Sequence, residues 1–312
     1  MPGAASGTLP GRPYSVPSMD ARTFLDLRAT DRHHHWQLPV ADHVTSGGGF
    51  LFGGCGLGAA CEAMERTTGR PTVWASAQYL AFAPRGSVVE IEVHEPVTGH
   101  FTSQTRAVGS VDGEEIFTVN AAMGLRRHEY EGHWVVFPDV PPPADCPPRE
   151  FHFDPARSVM SEMELRVAKG RPMHALPGAP GDGRVAMWAR FAALEISTTA
   201  LAIVGDLVTY GFTQAVGDWA RGSSIDNTLR IIQLVPSEWI LLDIHVHGVA
   251  NGYGHGNVHL WTEAGDLLGI ASQTTIARKP DWARAGKRPR PFPSMPVVPT
   301  ADRVVERPVG KG

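Results

Sequence analysis

Four histidines in the second half of this sequence have a spacing that could form a metal-binding site. In the segment 239–249, His245 and His247 alternate with apolar residues, and His255 and His259 follow in the next apolar stretch. Alternate residues of a strand share a face, so two neighbouring strands can bring three imidazoles together, a set that suits zinc. No Asp, Glu or Cys completes a recognised zinc-binding spacing, and we therefore predict neither a metal site nor a cofactor.

A glycine-rich stretch, Ser46–Gly58, is the second candidate, because glycine lets a ligand approach the backbone closely. The stretch lacks the Lys-Ser/Thr ending of a phosphate-binding loop, and no βαβ pattern follows it, so nucleotide binding is not expected. A serine hydrolase of the α/β type is not expected either, because the chain has no G-x-S-x-G motif.

The bulk composition narrows the class of protein. Three cysteines, Cys55, Cys61 and Cys146, are too few and too irregular for a disulfide framework, and we interpret the first two as buried small residues. The net charge of -4, without a long basic run in the body of the chain, argues against a nucleic-acid partner. The absence of a signal-peptide pattern and of 18 consecutive apolar residues predicts a cytoplasmic protein without a membrane span.

Two segments of the chain repeat the same order of elements, a helical pattern followed by four strands. The helical patterns cover Leu57–Arg66 and Val185–Val208, and the hairpin glycines Gly113 and Gly265 lie about 150 residues apart. This repeat predicts duplication of one α+β unit. The strands are predicted at Thr72–Phe82, Val88–Val97, Phe101–Val111 and Glu115–Met123, and again at Ser224–Gln233, Trp239–Val249, Gly254–Thr262 and Asp266–Ala277.

Proline-rich segments set the predicted boundaries. The stretch Pro138–Pro148 cannot form a helix or an inner strand and is typical of a linker. The predicted organisation is a flexible N-terminus (1–20), a first unit (21–137), the linker (138–150), a second unit (151–280) and a basic, Pro-rich tail (281–312).

Several short sequence segments resemble, in their order and spacing, segments of the type II acyl-CoA thioesterases, which are double hotdog proteins. They are Leu51–Gly54, Gly99–Val108, Glu115–Val119, Ser224–Thr228 and Gly265–Gln273. The resemblance covers roughly residues 45–280. It implies an α+β tandem hotdog, with two antiparallel sheets each wrapped around a long helix, the sheets joined and the helices in the middle.

The resemblance also implies a set of catalytic residues, because the family uses a carboxylate on the second helix, a hydroxyl on the strand after it and a glutamine on the last strand. The glutamine corresponds to Gln273 and the hydroxyl to Ser224. By position the carboxylate corresponds to Glu195, with Asp206, about three turns later, as the alternative. A shift of a few residues would put Ser197 there and leave the site without its acid.

The first unit departs from the family pattern. Cys55 stands where the family often has glutamine, and the position that corresponds to Gln273 falls near Asn120 or Ala121. We therefore expect the first unit to supply walls of the site and the second unit to supply its chemistry. The predicted substrate-binding residues are Gly53, Gly54, Cys55 and Asp226.

The function that the resemblance implies is hydrolysis of acyl-CoA to a free acid and CoA, in a protein that forms a homo-oligomer. Hydration of an enoyl thioester is not expected, because Ile231 stands where a hotdog hydratase has histidine five residues after its Asp. The alternatives are a non-catalytic protein that binds acyl-CoA and a thioesterase acting on carrier-protein substrates. A carboxylate near Ser224 and Gln273 would favour the hydrolase over the binding protein.

Overall fold

The structure is a computed structural model of the chain and describes residues 19–126, 129–284, 286–287 and 290–296. The predicted flexible N-terminus lies outside the described residues except for its last two, and the tail 281–312 is described only in part. The α-helices are α1 (Ala21–Leu25), α2 (Gly53–Thr68), α3 (Thr198–Gly205), α4 (Val208–Val216) and α5 (Asp281–Arg284). Short 3-10 helices cover Asp42–Val44, Pro143–Asp145, Pro155–Arg157, Val159–Glu162 and Met173–Ala175.

The strands confirm the eight that the repeat predicted, within a few residues at each end, and add six. They are β1 (Arg28–Ala29), β2 (His35–Pro39), β3 (Thr72–Tyr79), β4 (Val88–Thr98), β5 (Thr102–Val111), β6 (Glu114–Gly124), β7 (Glu150–Phe151), β8 (Met163–Lys169), β9 (Arg184–Phe191), β10 (Arg221–Ile231), β11 (Ile240–Ala250), β12 (Tyr253–Thr262), β13 (Leu267–Arg278) and β14 (Phe292–Pro293).

Twelve of the described strands form one antiparallel sheet, in the order β1-β2-β4-β5-β6-β3-β10-β13-β12-β11-β9-β8. Helix α2 packs on the strands of the first unit, and α3 and α4 pack on those of the second. The predicted α+β class is confirmed. The resemblance implied that the sheets of the two units are joined, and they form one continuous sheet because β3 of the first unit pairs with β10 of the second.

The β3–β10 junction relates the two units by an approximate two-fold axis. Ser76 lies directly opposite Thr228, and their hydroxyl oxygens are 2.7 Å apart. These two residues are 152 positions apart in the chain. The same offset relates the pairs of the neighbouring ladders, since Ser76 lies opposite Asn120 and Thr228 lies opposite Ser272.

Helix α2 is buried along most of its length, from Gly54 to Met64. It ends at Gly69, which has a φ of 67° and donates its N–H to the carbonyl of Glu65 at 2.8 Å. Left-handed backbone of this kind favours glycine at the end of a helix. The first turn has no side-chain cap, so its N–H groups are available to neighbours from other elements.

Two glycines of α2 let it cross α3 at close range. A Cβ on Gly54 would lie 2.6 Å from the carbonyl oxygen of Ala202, and one on Gly58 would lie 2.9 Å from a methyl carbon of Thr199. These distances are shorter than a real Cβ contact, so only glycine fits. The glycines at 54 and 58 therefore serve helix packing, and the expected approach of a ligand to this backbone is limited to Gly53 and Gly56, which line a cavity.

The second predicted helix, Val185–Val208, is wrong in two ways. Residues Arg184–Phe191 form strand β9, and the helix that follows is broken between Gly205 and Val208. Strand β9 is apolar on both faces, because Val185, Met187 and Ala189 face the main core while the alternate side chains are buried on the outer face. A strand buried on both faces loses the alternation that would distinguish it from a helix.

The Pro-rich segment explains why the outer face of β9 is buried. Its residue Pro141 accepts a hydrogen bond at 2.9 Å from Trp188 Nε1, and Cys146 is buried beside the same ring. The segment thus packs on the outer face of the sheet rather than running freely between the units. The domain boundaries that the sequence suggested stay predictions.

By length and composition alone, the segment Thr198–Val216 could cross a membrane. It is 72% buried inside the protein, where α3 and α4 form the central helix of the second unit. A core helix of this kind passes the same test, so the segment gives only weak evidence of a membrane span.

Candidate active site

Asp206 occupies the break in the central helix of the second unit. It is the C-terminal cap of α3 and lies two residues before α4, with 3% of its surface exposed. The break aims its carboxylate at the first turn of α2, where the Gly54 N–H donates to Oδ2 at 2.8 Å. This hydrogen bond satisfies one of the free amides at that helix end, and the positive end of the helix dipole favours the ionised carboxylate.

Ser224 and Gln273 reach the other carboxylate oxygen from two neighbouring strands. The Ser224 hydroxyl donates to Asp206 Oδ1 at 3.3 Å, and Gln273 Nε2 donates both to the same oxygen and to Ser224 Oγ, the latter at 2.6 Å. Ser224 lies on β10 at an irregularity of the β10–β13 ladder, and Gln273 lies on β13. The sheet therefore holds the hydroxyl and the amide beneath the helix break.

Burial controls the ionisation of this cluster. Desolvation raises the pKa of Asp206 from 3.8 to about 7, although the hydrogen bonds from Gly54, Gln273 and Ser224 favour the charged form. The energetic cost of burying the charge is larger than the gain from these three donors. A carboxyl group with a pKa near neutrality can take up and release a proton under physiological conditions.

Two further polar atoms beside Asp206 are buried and lack a hydrogen-bond partner among the described residues. They are the amide oxygen Oε1 of Gln273 and the hydroxyl oxygen of Tyr79. A Cβ on Gly53 would lie 2.9 Å from Asp206 Oδ2 and 3.0 Å from the Tyr79 hydroxyl, so both groups flank the same glycine. Buried polar groups are normally satisfied, and unpaired ones at one place indicate room for a polar guest.

A cavity of about 1000 Å³ opens beside the cluster. Its polar end contains Gly53, Tyr79, Asp206 and Ser224, while Gln273 lies behind them and is 2% exposed. The walls are rich in aromatic side chains, among them Phe50, Phe52, Phe117, Phe153, Trp219 and Trp282. A large apolar cavity that ends in a few convergent polar groups is typical of a site for a small molecule with an apolar chain.

Comparisons with known proteins agree with this geometry. Residues 143–277 match the acyl-CoA thioesterase C-terminal domain. The fold is similar to that of a protein described as a thioesterase from Novosphingobium aromaticivorans DSM 12444, with 30% sequence identity and a TM-score of 0.72 over 80% of this chain and 97% of that one. The chain belongs to the type II acyl-CoA thioesterase family.

Other solved structures support the fold of this thioesterase. They include acyl-CoA thioesterase II TesB2 from Mycobacterium marinum (19% identity, TM-score 0.67, covering 83% of this chain and 98% of that one) and a hot dog fold protein from Alicyclobacillus acidocaldarius (21% identity, TM-score 0.72, covering 83% and 98%). At these identities the likeness concerns the hotdog fold alone. No curated protein sequence matches the chain.

The remaining predicted residues of the thioesterase take other positions. Glu195 is exposed and precedes α3, and the carboxylate hydrogen-bonded to Ser224 and Gln273 belongs to Asp206. Cys55 is fully buried and does not line the cavity. Asp226 accepts a hydrogen bond from the Thr274 N–H at 2.7 Å and so stabilises the irregular part of the β10–β13 ladder.

Two groups at the cavity carry no signal in the sequence pattern. The sequence predicts Tyr79 only as a strand residue, and desolvation raises the pKa of its hydroxyl well above the ordinary value, so that it remains a hydrogen-bond donor. Arg149 comes from the segment predicted to be a linker. Its guanidinium carbon lies 4.6 Å from the ring centre of Phe151 and 4.5 Å from that of Tyr210.

Arg149 forms no ion pair with a carboxylate of the described residues. Its Nε and Nη1 atoms are buried and have no hydrogen-bond partner in the part of the chain that the structure describes. Desolvation lowers the pKa of the guanidinium to about 10, still well above neutrality. The cavity of the thioesterase therefore contains a positive charge, held between two aromatic rings, with free hydrogen-bond donors.

Proposed function

We propose that this thioesterase hydrolyses acyl-CoA to a free acid and CoA, with Asp206 as the general base. The observation that carries the proposal is the buried cluster of Asp206, Ser224 and Gln273 at the polar end of a large apolar cavity. A carboxylate next to the hydroxyl and the amide is the feature that distinguishes a hydrolase from a protein that only binds acyl-CoA.

In the proposed reaction, Asp206 removes a proton from a water molecule while the water oxygen attacks the thioester carbonyl carbon. The C–S bond then breaks, the acid is released, and the proton passes from Asp206 to the CoA sulfur. The pKa of about 7 suits both transfers, because the group is basic enough to accept the proton and acidic enough to return it.

Ser224 and Gln273 orient the water and the carboxylate in this scheme. The free amide oxygen of Gln273 is an acceptor for the second proton of the water, and the Nε2–H bond fixes the angle of the Asp206 carboxylate. Orientation of this kind lowers the entropic part of the barrier. Neither residue exchanges a proton with the substrate.

The negative charge that develops on the carbonyl oxygen needs a hydrogen-bond donor. The unpaired Tyr79 hydroxyl, next to Gly53 at the N-terminal end of α2, is a suitable donor, and the positive end of the helix dipole adds to its effect. The acyl chain would lie along the aromatic walls of the cavity.

Arg149 suits an anionic group of the substrate. A guanidinium with two free donors forms strong, directional hydrogen bonds with phosphate or carboxylate oxygens. CoA supplies phosphates, and an acyl chain that ends in a carboxylate would supply the same chemistry.

Free-thiol release from straight-chain acyl-CoAs of graded length tests the proposal. We expect turnover by the wild type and a loss of about 10³ in kcat/KM for Asp206→Asn, which keeps the shape of the side chain but not its basicity. Glu195→Gln is the matched control, since it removes an exposed carboxylate, and it should retain wild-type activity. Tight acyl-CoA binding without turnover at any length would instead identify a binding protein.

A further inference from the structure

A second polar cluster lies on the outer face of the sheet, away from the acyl cavity. Asp243 and His245 alternate on β11 with core residues, and His259 and Asn257 occupy the same face of β12. Asp243 lies directly opposite His259, and His245 lies directly opposite Asn257. The four side chains therefore form a two-by-two set on neighbouring strands, and none of them lines the cavity beside Asp206.

The distances within the cluster suit a metal ion. His245 Nε2 is 3.0 Å from each carboxylate oxygen of Asp243, and His259 Nδ1 is 3.8 Å from Oδ2. One ligand atom from each residue lies within 4.8 Å of the others. Ligand atoms in a tetrahedral zinc site are about 3.3 Å apart, so small side-chain rotations would close this set around an ion.

His245 Nε2 faces a hydrogen-bond donor and a hydrogen-bond acceptor at the same time. His245 Nε2 is 2.8 Å from Arg184 Nη1, which can only donate, and 3.0 Å from the Asp243 carboxylate, which can only accept. One ring nitrogen carries either a proton or a lone pair, so one of the two contacts is always unfavourable. A metal ion between the ring nitrogen and the carboxylate removes the conflict, and Arg184, whose side chain is exposed, can turn away to solvent.

Asn257 supplies an independent sign of a missing partner. Its amide oxygen Oδ1 is buried and has no hydrogen-bond partner among the described residues. Buried acceptors of this kind are rare, and one placed opposite His245 would be satisfied by an ion or by a water bound to it. The side chains of His245, Asp243 and His259 are only 18%, 11% and 13% exposed, so the site is partly enclosed yet reachable from solvent.

We propose that Asp243, His245 and His259 bind a divalent transition-metal ion of the zinc type. Two imidazoles and one carboxylate suit the borderline-soft ions of this series and leave at least one position for water or for the oxygen of Asn257. The residues of the site come from two adjacent strands, so the ion would tie β11 to β12 on the face opposite the acyl cavity. The site is structural and separate from the proposed hydrolysis.

Zinc titration of protein freed of metal by a chelator tests the proposal. We expect wild type to bind Zn²⁺ with a Kd of about 10 µM or tighter and to melt at a higher temperature when zinc is present. His245→Gln and His259→Gln should each weaken binding by about 10-fold or more. His255→Gln is the matched control, because it removes an exposed histidine of the same strand, and it should bind zinc as the wild type does.

Cobalt substitution reports the ligands directly. The visible absorption bands of bound Co²⁺ should indicate four or five ligands in the wild type and should disappear in the double variant His245→Gln, His259→Gln. Circular dichroism of each variant without metal checks that it is folded, and Asp243→Asn provides a further variant. Equal zinc affinity in wild type and double variant, for example through the run His33–His35, would overturn the assignment, as would absence of binding below about 1 mM.

Discussion

The two halves of the molecule contain the same unit, yet the polar cluster occurs in the second alone. The offset of 152 residues at the β3–β10 junction identifies the equivalent positions. The first half has Gly54, Thr72 and Ala121 where the second has Asp206, Ser224 and Gln273. Both ladders are irregular at the same place, between Thr72 and Trp74 and between Ser224 and Asp226. The two halves therefore have matching backbones at these positions and differ in the side chains that they place there.

The reason for this asymmetry lies at the approximate two-fold axis. Gly54 and Asp206 are equivalent positions that contact each other, since the Gly54 N–H donates to Asp206 Oδ2. A Cβ on Gly54 would come within 3.0 Å of Asp206 Cβ and closer still to the α3 backbone. Only one of the two positions has room for a side chain. A duplicated fold of this kind can thus hold one buried carboxylate at the axis, served by both halves.

The largest effect that we expect is that of replacing Asp206, the carboxylate present in one half alone, on the free energy of unfolding. Burial raises the pKa of Asp206 in the folded state to about 7, so the folded protein holds a proton that the unfolded chain has lost. Binding of this proton stabilises the folded state. The contribution to the free energy of unfolding is complete below the ordinary pKa of 3.8 and is lost as the pH rises through 7. Asp206→Asn should therefore raise the free energy of unfolding at pH 8, by up to about 4 kcal/mol. Urea unfolding of wild type and Asp206→Asn at pH 5 and pH 8 measures this difference in the free energy of unfolding. An equal difference at the two pH values would contradict a raised pKa for Asp206.

The amide of Gln273 should matter next. We expect Gln273→Ala to lower kcat/KM by about 10², because the carboxylate loses its orienting donor and the water loses an acceptor. Asn120→Ala, one residue from the equivalent position in the first half and exposed there, is the control and should leave thiol release unchanged. Similar losses in both variants would mean that the first half takes part in the chemistry.

The pH dependence of the wild type sharpens the role of Asp206. If the ionised carboxylate is the base, kcat/KM should rise with pH to a plateau with a midpoint near 7 and fall about tenfold per unit below it. A stopped assay of acid release avoids the pH dependence of thiol reagents. A midpoint near 4 would indicate a solvated carboxylate and would exclude this buried one.

The hydroxyl of Ser224 should have a smaller effect. Ser224→Ala removes one donor to Asp206, and Gln273 retains its bond to the same oxygen, so we expect a loss of about 10-fold in kcat/KM. Thr72→Val makes the matching change at the equivalent position of the first half. That variant should stay within about twofold of wild type; a larger loss would show that the two hydroxyls have equivalent roles.

The smallest effect that we predict is that of Arg149→Met. With acyl-CoA substrates the KM should rise about fivefold while kcat changes little, because a substrate anion loses its partner in both ground and transition states. An acyl-pantetheine, which lacks the phosphates, should not respond if the anion is a CoA phosphate. A loss confined to acyl chains that end in a carboxylate would place the anion on the acyl group instead, and an equal change for every substrate would contradict anion binding.

The repeat was readable from the sequence because antiparallel strands with one buried face alternate in polarity. Strands β4 and β5 show that alternation over most of their length. Strand β9 does not, since its second face is covered by the Pro-rich segment, and its apolar run resembles a helix. The helix predicted over Val185–Val208 therefore led to Glu195 as the preferred catalytic carboxylate. The resemblance alone pointed to Gln273 and Ser224, which lie beside Asp206 in the structure, because register fixes which strand residues share a face.

The sequence by itself determined the duplicated α+β unit, the order of its strands and the residues on their faces, since these depend on local periodicity. The tertiary structure decided which carboxylate meets Ser224 and Gln273, because that depends on a helix break at Gly205–Leu207 and on a contact across 152 residues. It also brought His259 beside Asp243 and His245, because that contact depends on the pairing of β11 with β12 and not on spacing along the chain.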